Sequence, residues 1–311
     1  MSEIIQIERV SKRFGAVAAL DQISLSVRRG EVFALLGENG AGKTTLLRIL
    51  TSFLASDEGR ATILGLDCQR DGNAIRQRIG YVSDQPPMYQ WMTAPEIGWF
   101  ASGFYDDDFT FRYHQSIREF DIPMSTKIGK MSKGQRAKVA LALATAHDPE
   151  LLILDEPTSG LDPMVRRQFL ESMVDRAASG RSVLLSSHHI HEVERVADTV
   201  AIVHQGKLRL VESLEVLRQH TRIITATMDD ALAEPPMVAG TVLCQSQSAK
   251  QHRWVAHRLS DDWHVHFESE EGVRQYDSKV PTLEDIFIAA CQSTSVGNEL
   301  PQQTIGGANR G

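Results

Sequence analysis

Gly37-Glu38-Asn39-Gly40-Ala41-Gly42-Lys43-Thr44 is the stretch on which the reading of this chain turns. An apolar run, Val32 to Leu36, precedes it, and a segment with helical spacing, Thr44 to Leu50, follows it. The order predicts a buried strand, a glycine turn and a helix. Glycines from Gly37 to Gly42 let backbone N–H groups turn inward around phosphate oxygens, with Glu38, Asn39 and Ala41 completing the cradle. The helix start adds the positive end of its dipole. In such a cradle Lys43 bridges the β- and γ-phosphates, Thr44 offers its hydroxyl to Mg²⁺, and Thr45 completes the nucleotide-binding set. The stretch is expected to bind a nucleoside triphosphate.

Further along stands Leu151-Leu152-Ile153-Leu154-Asp155-Glu156. An apolar strand ending in two acids delivers both carboxylates to the C-terminal edge of a sheet, where the phosphate loop also opens. Asp155 is expected to hold Mg²⁺ through water and Glu156 to polarise the attacking water as general base. Alone, such an ending is usually a strand meeting solvent; beside a phosphate loop it predicts hydrolysis.

The class is decided by Met131-Ser132-Lys133-Gly134-Gln135, which opens a helix 20 residues before Leu151. Here the chain resembles the ATP-binding cassette (ABC) ATPases, whose signature reads Leu-Ser-Gly-Gly-Gln. The resemblance covers residues 1 to about 217, with the motifs in family order. It implies that Phe14 stacks on adenine and that Ser159-Gly160-Leu161-Asp162 is the loop after the catalytic acid. It implies also that His188, after Ser186-Ser187, contacts the γ-phosphate. Ser132, Gly134 and Gln135 form a second anion site that makes sense only toward a nucleotide held by another copy. Two cassettes are therefore expected to face head to tail around ATP. The fold implied is α/β: a P-loop NTPase cassette with a mixed sheet core, an antiparallel β subdomain and a helical subdomain.

Several positions depart from the family pattern. Lys133 stands where the family has glycine; it either faces the γ-phosphate or points to solvent from the first helical turn, the favoured reading. In Ile79-Gly80-Tyr81-Val82-Ser83-Asp84-Gln85, the family's metal-sensing glutamine falls by spacing on Asp84, with Gln85 one place later. Gln85 is preferred as the metal-side residue, because a third carboxylate would over-coordinate the ion. Tyr89, Trp91 and Met92 either dock a membrane partner's helix or pack a local core. His188-His189-x-His191 has the look of a metal site, but the resemblance already assigns His188 to the nucleotide.

The surrounding chain is consistent with this class. It has 311 residues, 42% apolar and 23% charged, enough for about two domains. Its net charge of −7 argues against broad nucleic-acid attraction. Three cysteines without a close pair predict no disulfide framework. No secretory signal and no apolar run of membrane-spanning length is visible, so a cytoplasmic place is expected, with any membrane role on the inner face through another protein. The expected organisation is a cassette over residues 1–217 with a helical insert at about 93–147, a small α+β extension over 218–292, and a disordered tail over 293–311. Strands are expected at Ile4 to Val10, Ile23 to Val27, Ser182 to Leu185 and Val200 to Val203. In the extension they are expected at Ile223 to Met228, Thr241 to Cys244, Arg253 to His257 and His264 to Glu268, followed by a helix from Thr282 to Cys291. Its five histidines, His220, His252, His257, His264 and His266, are expected on the surface.

The extension and its ending, Leu283-Glu284-Asp285-Ile286-Phe287, resemble the ATPase subunits of ABC-2-type exporters. That implies two copies beneath a separately encoded permease, powered by ATP and Mg²⁺, with no nucleic acid involved. The rival is a soluble ABC switch on DNA or ribosomes. Such relatives carry long coiled-coil insertions or paired cassettes, and neither is present in this sequence.

Overall fold

The computed structural model describes residues 2–230, 235–260, 262–269 and 272–292. The chain divides into two compact units, Met1–Gln219 and His220–Gly311, each taken by itself below.

In the first unit a six-stranded sheet runs in the order Lys207–Ser213, Thr199–His204, Val32–Leu36, Ser182–Ser187, Leu151–Asp155, Ile79–Val82. All neighbours are parallel except the first pair, an antiparallel edge. The three central strands are buried along their whole length, as a parallel sheet covered on both faces requires. Phe33, Leu35, Ile153 and Leu184 pack on one face against Leu46, Leu47 and Leu50 of helix Lys43–Leu50. Leu152, Leu154, Val183 and Leu185 pack on the other face against Leu141, Phe169 and Met173. A second, antiparallel sheet joins Val17–Arg28, Glu3–Phe14, Glu58–Ile63 and Leu66–Asp67.

The segment between Ile79–Val82 and Leu151–Asp155 is helical: Ala94–Ser102, Asp108–Glu119 and Lys133–Thr145. Two of these helices start in reciprocal caps, Thr93 with Glu96 and Ser132 with Gln135. The helices bury a core of their own around Met92, Ile97, Phe109, Tyr113, Ile117 and Val139. The buried Tyr113 hydroxyl donates to the Ala94 carbonyl at 2.8 Å. A Cβ on Gly98 would come within 2.1 Å of the Tyr113 ring, so glycine is what lets these two helices approach.

The second unit is an antiparallel sheet in the order Thr241–Ser248, Gln251–His257, Thr221–Met228, Val273–Lys279, with helices Trp263–Ser269 and Leu283–Gln292. Two expectations fail here, and one strand goes unannounced. His264 to Glu268, expected as a strand, lies in the helix Trp263–Ser269. Strand alternation would put Trp263, Val265 and Phe267 on one face, yet Val265 is half exposed while Phe267 is buried. Trp263 and Phe267, four residues apart, meet each other and Tyr276 at ring-centroid distances between 5.6 and 6.2 Å, which is helical spacing. Val273–Lys279 is a strand that the sequence does not announce, because its apolar content is two residues and most of it is exposed. His252 and His257, expected at the surface, are each 2% exposed, because their strand is an inner one of the sheet. His252 stacks on Trp254, and the His257 Nδ1 lies 3.0 Å from the Thr221 hydroxyl. The tail read as disordered, 293–311, lies outside the described residues.

Gly98→Ala should lower the unfolding free energy by about 1–3 kcal/mol through the clash with Tyr113. Urea unfolding reads this as a lower midpoint at unchanged slope; an unchanged midpoint would mean that the two helices part without cost.

Candidate functional site

The central strand Val32–Leu36 ends at Gly37, whose N–H donates to the Ser187 carbonyl at 3.3 Å. Two close approaches fix glycine in the loop that follows. A Cβ on Gly37 would stand 2.4 Å from the Val203 carbonyl oxygen, and one on Gly42 2.4 Å from that of Ala19. Gly42 also has φ 107°, in the region that side chains disfavour. It is the N-cap of Lys43–Leu50 and brings no side chain to cap the helix, so the first-turn amides are donors of the kind that hold anions.

Lys43 is 5% exposed. Its ammonium donates to the carbonyls of Gly37 at 2.7 Å and Glu38 at 3.1 Å, and pairs with Glu156 Oε1 at 3.1 Å. The other oxygen of Glu156, Oε2, accepts from Nδ1–H of His188 at 2.7 Å. Glu156 itself has φ 49°, an uncommon left-handed conformation that turns the chain sharply after the strand Leu151–Asp155. Its N–H is held in that turn by the Ser186 carbonyl at 3.2 Å and hydroxyl at 3.1 Å.

One residue earlier, Asp155 is buried, and its Oδ1 accepts from Ser186 Oγ at 2.6 Å and from Thr44 Oγ1 at 3.1 Å. Burial, and after it the Asp155 charge, push the Tyr81 hydroxyl up to about 12, so Tyr81 stays neutral beside the site. Two hydroxyls, two carboxylates, an ammonium and an imidazole thus converge on one edge of the sheet.

Among the described residues this network brings together Lys43, Thr44, Asp155, Glu156 and His188. Phe14, Ser132, Gly134, Gln135 and Gln85 lie outside it. Phe14, half exposed, ends the strand Glu3–Phe14, with the Lys12 ammonium 5.7 Å from its ring centroid. Ser132 and Gln135 bond each other: Ser132 Oγ accepts from Gln135 N–H at 3.1 Å, and Gln135 Oε1 accepts from Ser132 N–H at 2.9 Å. Gly134 is buried, and a Cβ there would stand 3.5 Å from the Val165 methyls. Gln85 and Asp84 line a cavity beside the signature helix. Lys133 is exposed, as a first-turn residue should be, yet it does not simply point to solvent: its ammonium lies 3.7 Å from Asp84 Oδ1. Met92 is buried in the core of the insert, as the local-core reading has it, whereas Tyr89 and Trp91 are exposed and do not join that core.

Sequence reasoning assigned no role to Ser186, although a serine at the end of a fully buried strand beside His188 was the available signal. It also missed Glu192, 5% exposed, which accepts from the Thr158 hydroxyl and pairs with Arg166 at 3.2 Å. These contacts tie the loop after Glu156 to the helix Ile190–Val196 that follows His188.

A family model described as "ABC transporter" matches residues 20–159, and a shorter match to an AAA domain covers 125–194. The chain is 34% identical over 229 residues to the ABC transporter ATP-binding protein NatA of Bacillus subtilis, covering 70% of this chain and 93% of that protein. It is 30% identical over 301 residues to the daunorubicin resistance ATP-binding protein DrrA2 of Streptomyces coeruleorubidus, covering 91% and 94%. An ABC transporter ATP-binding protein of Nostoc is 36% identical over 209 residues; the match takes in 65% of this chain and spans 62% of that relative's length. The solved ATP binding subunit of an ABC transporter superposes with a TM-score of 0.64 at 29% identity, over 70% of this chain and 92% of that one.

Lys43→Ala removes the buried ammonium that answers both the loop carbonyls and Glu156. It should weaken nucleotide binding about ten- to hundredfold, the scale of a lost charged hydrogen bond. Titration with a fluorescent nucleotide measures this, and unchanged affinity would take Lys43 out of the binding set.

Proposed function

This chain belongs to the ATP-binding proteins of ABC transporters, a family of ATPases, and from that premise we propose that it binds and hydrolyses ATP to drive an ABC-2-type exporter. Two copies close around two ATP molecules beneath a separately encoded permease, on the inner face of the membrane. The observation that carries the chemistry is the Lys43–Glu156–His188 chain of contacts, at one sheet edge with Thr44 and Asp155.

An arriving triphosphate competes with Glu156 for Lys43. Once the ammonium turns to the β- and γ-phosphates, Glu156 is left with the N–H of His188 and a free oxygen. That oxygen accepts the proton of the attacking water, while His188 fixes the carboxylate in place. The left-handed turn at Glu156 aims its carboxylate away from Asp155, so the two acids serve different partners. Thr44 Oγ1 and Asp155 Oδ1, 3.1 Å apart, are hard oxygen donors of the kind Mg²⁺ takes. When bound, the ion neutralises charge on the phosphates. Phe14 stacks on the adenine, and Ser132, Gly134 and Gln135 face the nucleotide of the second copy.

Support for a membrane partner comes from the exposed aromatic surface of the helical insert. Tyr89 lies 5.9 Å from Trp91 and 5.4 Å from Phe100, which lies 5.7 Å from Phe104, and all four are exposed. Exposed clustered aromatics are what a docking helix uses. Among the described residues no helix is long and apolar enough to cross a membrane. Export, rather than another direction, is supported by a likeness of 28% identity over 91% of this chain to the Nod factor export ATP-binding protein I of Sinorhizobium fredii.

Glu156→Gln should keep ATP binding, slow hydrolysis about 10²- to 10⁴-fold and trap an ATP-dependent dimer in light scattering. Adding Ser132→Arg should abolish that dimer while leaving ATP binding intact. A tagged Glu156→Gln chain with ATP, drawn from gently solubilised cells, should bring down one multi-span membrane protein at fixed stoichiometry. Hydrolysis at the parent rate would remove Glu156 as the base, and recovery of ribosomes or DNA instead would replace the transporter reading.

A further inference from the structure

A cavity of about 530 Å³ lies between the loop that follows Ile79–Val82 and the start of helix Lys133–Thr145, lined by Asp84, Gln85, Met88, Lys133, Arg136 and Pro157 among others. Lys133 spans it. Its ammonium lies 3.7 Å from Asp84 Oδ1, with the two side chains 44% and 42% exposed. That oxygen is shielded from solvent and accepts no hydrogen bond among the described residues, so the Lys133 charge is what answers it. At 3.7 Å the contact is longer than a hydrogen bond and is held by charge alone.

Lys133 touches a third segment as well. Gly160, in the loop after Glu156, has φ +66°, and a Cβ there would stand 3.1 Å from Lys133 Nζ and 3.3 Å from its Cδ. The outer part of the lysine side chain, ammonium included, therefore lies over Gly160, and the same ammonium stands 3.7 Å from Asp84 Oδ1. One side chain gathers the loop after Ile79–Val82, the signature helix and the loop after Leu151–Asp155. The two departures noted in the sequence, a carboxylate at 84 and a lysine at 133, are partners.

We propose that Lys133 is a positioning residue: its pair with Asp84 latches the 83–88 loop to the signature helix of the same chain and opens before that helix start engages a nucleotide on a second copy. The latch rests on the ATP-sandwich reading above. An ammonium committed to Asp84 in its own chain cannot also face a phosphate across a dimer interface. A half-exposed pair without a hydrogen bond shifts populations only a few-fold, so nucleotide binding overcomes it readily. Asp84, rather than Gln85, is then the position through which this loop responds.

The test is a charge cycle in the Glu156→Gln background, with Lys133→Gln, Asp84→Asn, their combination, and the swap Asp84→Lys with Lys133→Asp. Without nucleotide, hydrogen exchange of amides 83–90 reads the latch. With nucleotide, light scattering gives the ATP concentration for half-maximal dimer. Both single variants and their combination should speed exchange by the same factor, about two- to fivefold, and lower the ATP requirement by a similar factor. The swap should return both readings toward the parent.

Additive effects of the two single changes, or unchanged exchange in either, would overturn the latch. So would a raised ATP requirement in Lys133→Gln alone, which would mean that Lys133 acts on the partner's nucleotide. If the parent does not dimerise with ATP, the sandwich reading fails and the release step fails with it, whereas the nucleotide-free exchange measurements still judge the pair.

Discussion

A buried ammonium organises this site. A charge that is 5% exposed has to be matched by nearby groups, because desolvation otherwise costs several kcal/mol. Lys43 is matched by two carbonyls of its own loop and by Glu156. Those partners come from two strands that are not neighbours. Ser182–Ser187 lies between them in the sheet, and its Ser186 bonds both Asp155 and the backbone of Glu156. The strand order of the sheet is thus what makes Lys43 and Glu156 meet.

The same economy of contacts extends outward from the acids. Asp155 and Glu156 are adjacent in the chain yet take different partners, one facing Thr44 and Ser186, the other Lys43 and His188. The positive φ of Glu156 separates them. Glu192 then joins the loop beyond Glu156 to the helix beyond His188. The segments expected to respond to the γ-phosphate are mechanically connected to one another before any nucleotide enters.

The helical insert obeys a different logic. It has a core of its own, although its last helix, Lys133–Thr145, also lays Ala140, Leu141 and Ala144 against one face of the sheet, and two of its helices begin at reciprocal caps whose side chains are satisfied locally. Ser132 and Gln135 therefore hold the shape of the helix start, and Lys133 adds to it the longer charge pair with Asp84.

How much of this was legible depended on range along the chain. The phosphate loop, the strand ending in Asp155 and Glu156, and the capped signature helix could be read directly, because turns, caps and apolar runs depend on residues within a few positions of one another. The helix Trp263–Ser269 was misread because its histidines and apolar residues alternate over a stretch too short to separate the two periods. The edge strand Val273–Lys279 was invisible because partners, not its own composition, hold it in the sheet. The amino-acid sequence by itself determined the nucleotide-binding class of this chain and the residues of its phosphate cradle. Only the tertiary structure decided that Lys43 pairs with Glu156, that Ser186 bridges the acids and that Lys133 answers Asp84. Each of those contacts joins side chains far apart in sequence, and their meeting is set by how the strands are ordered and how the insert packs.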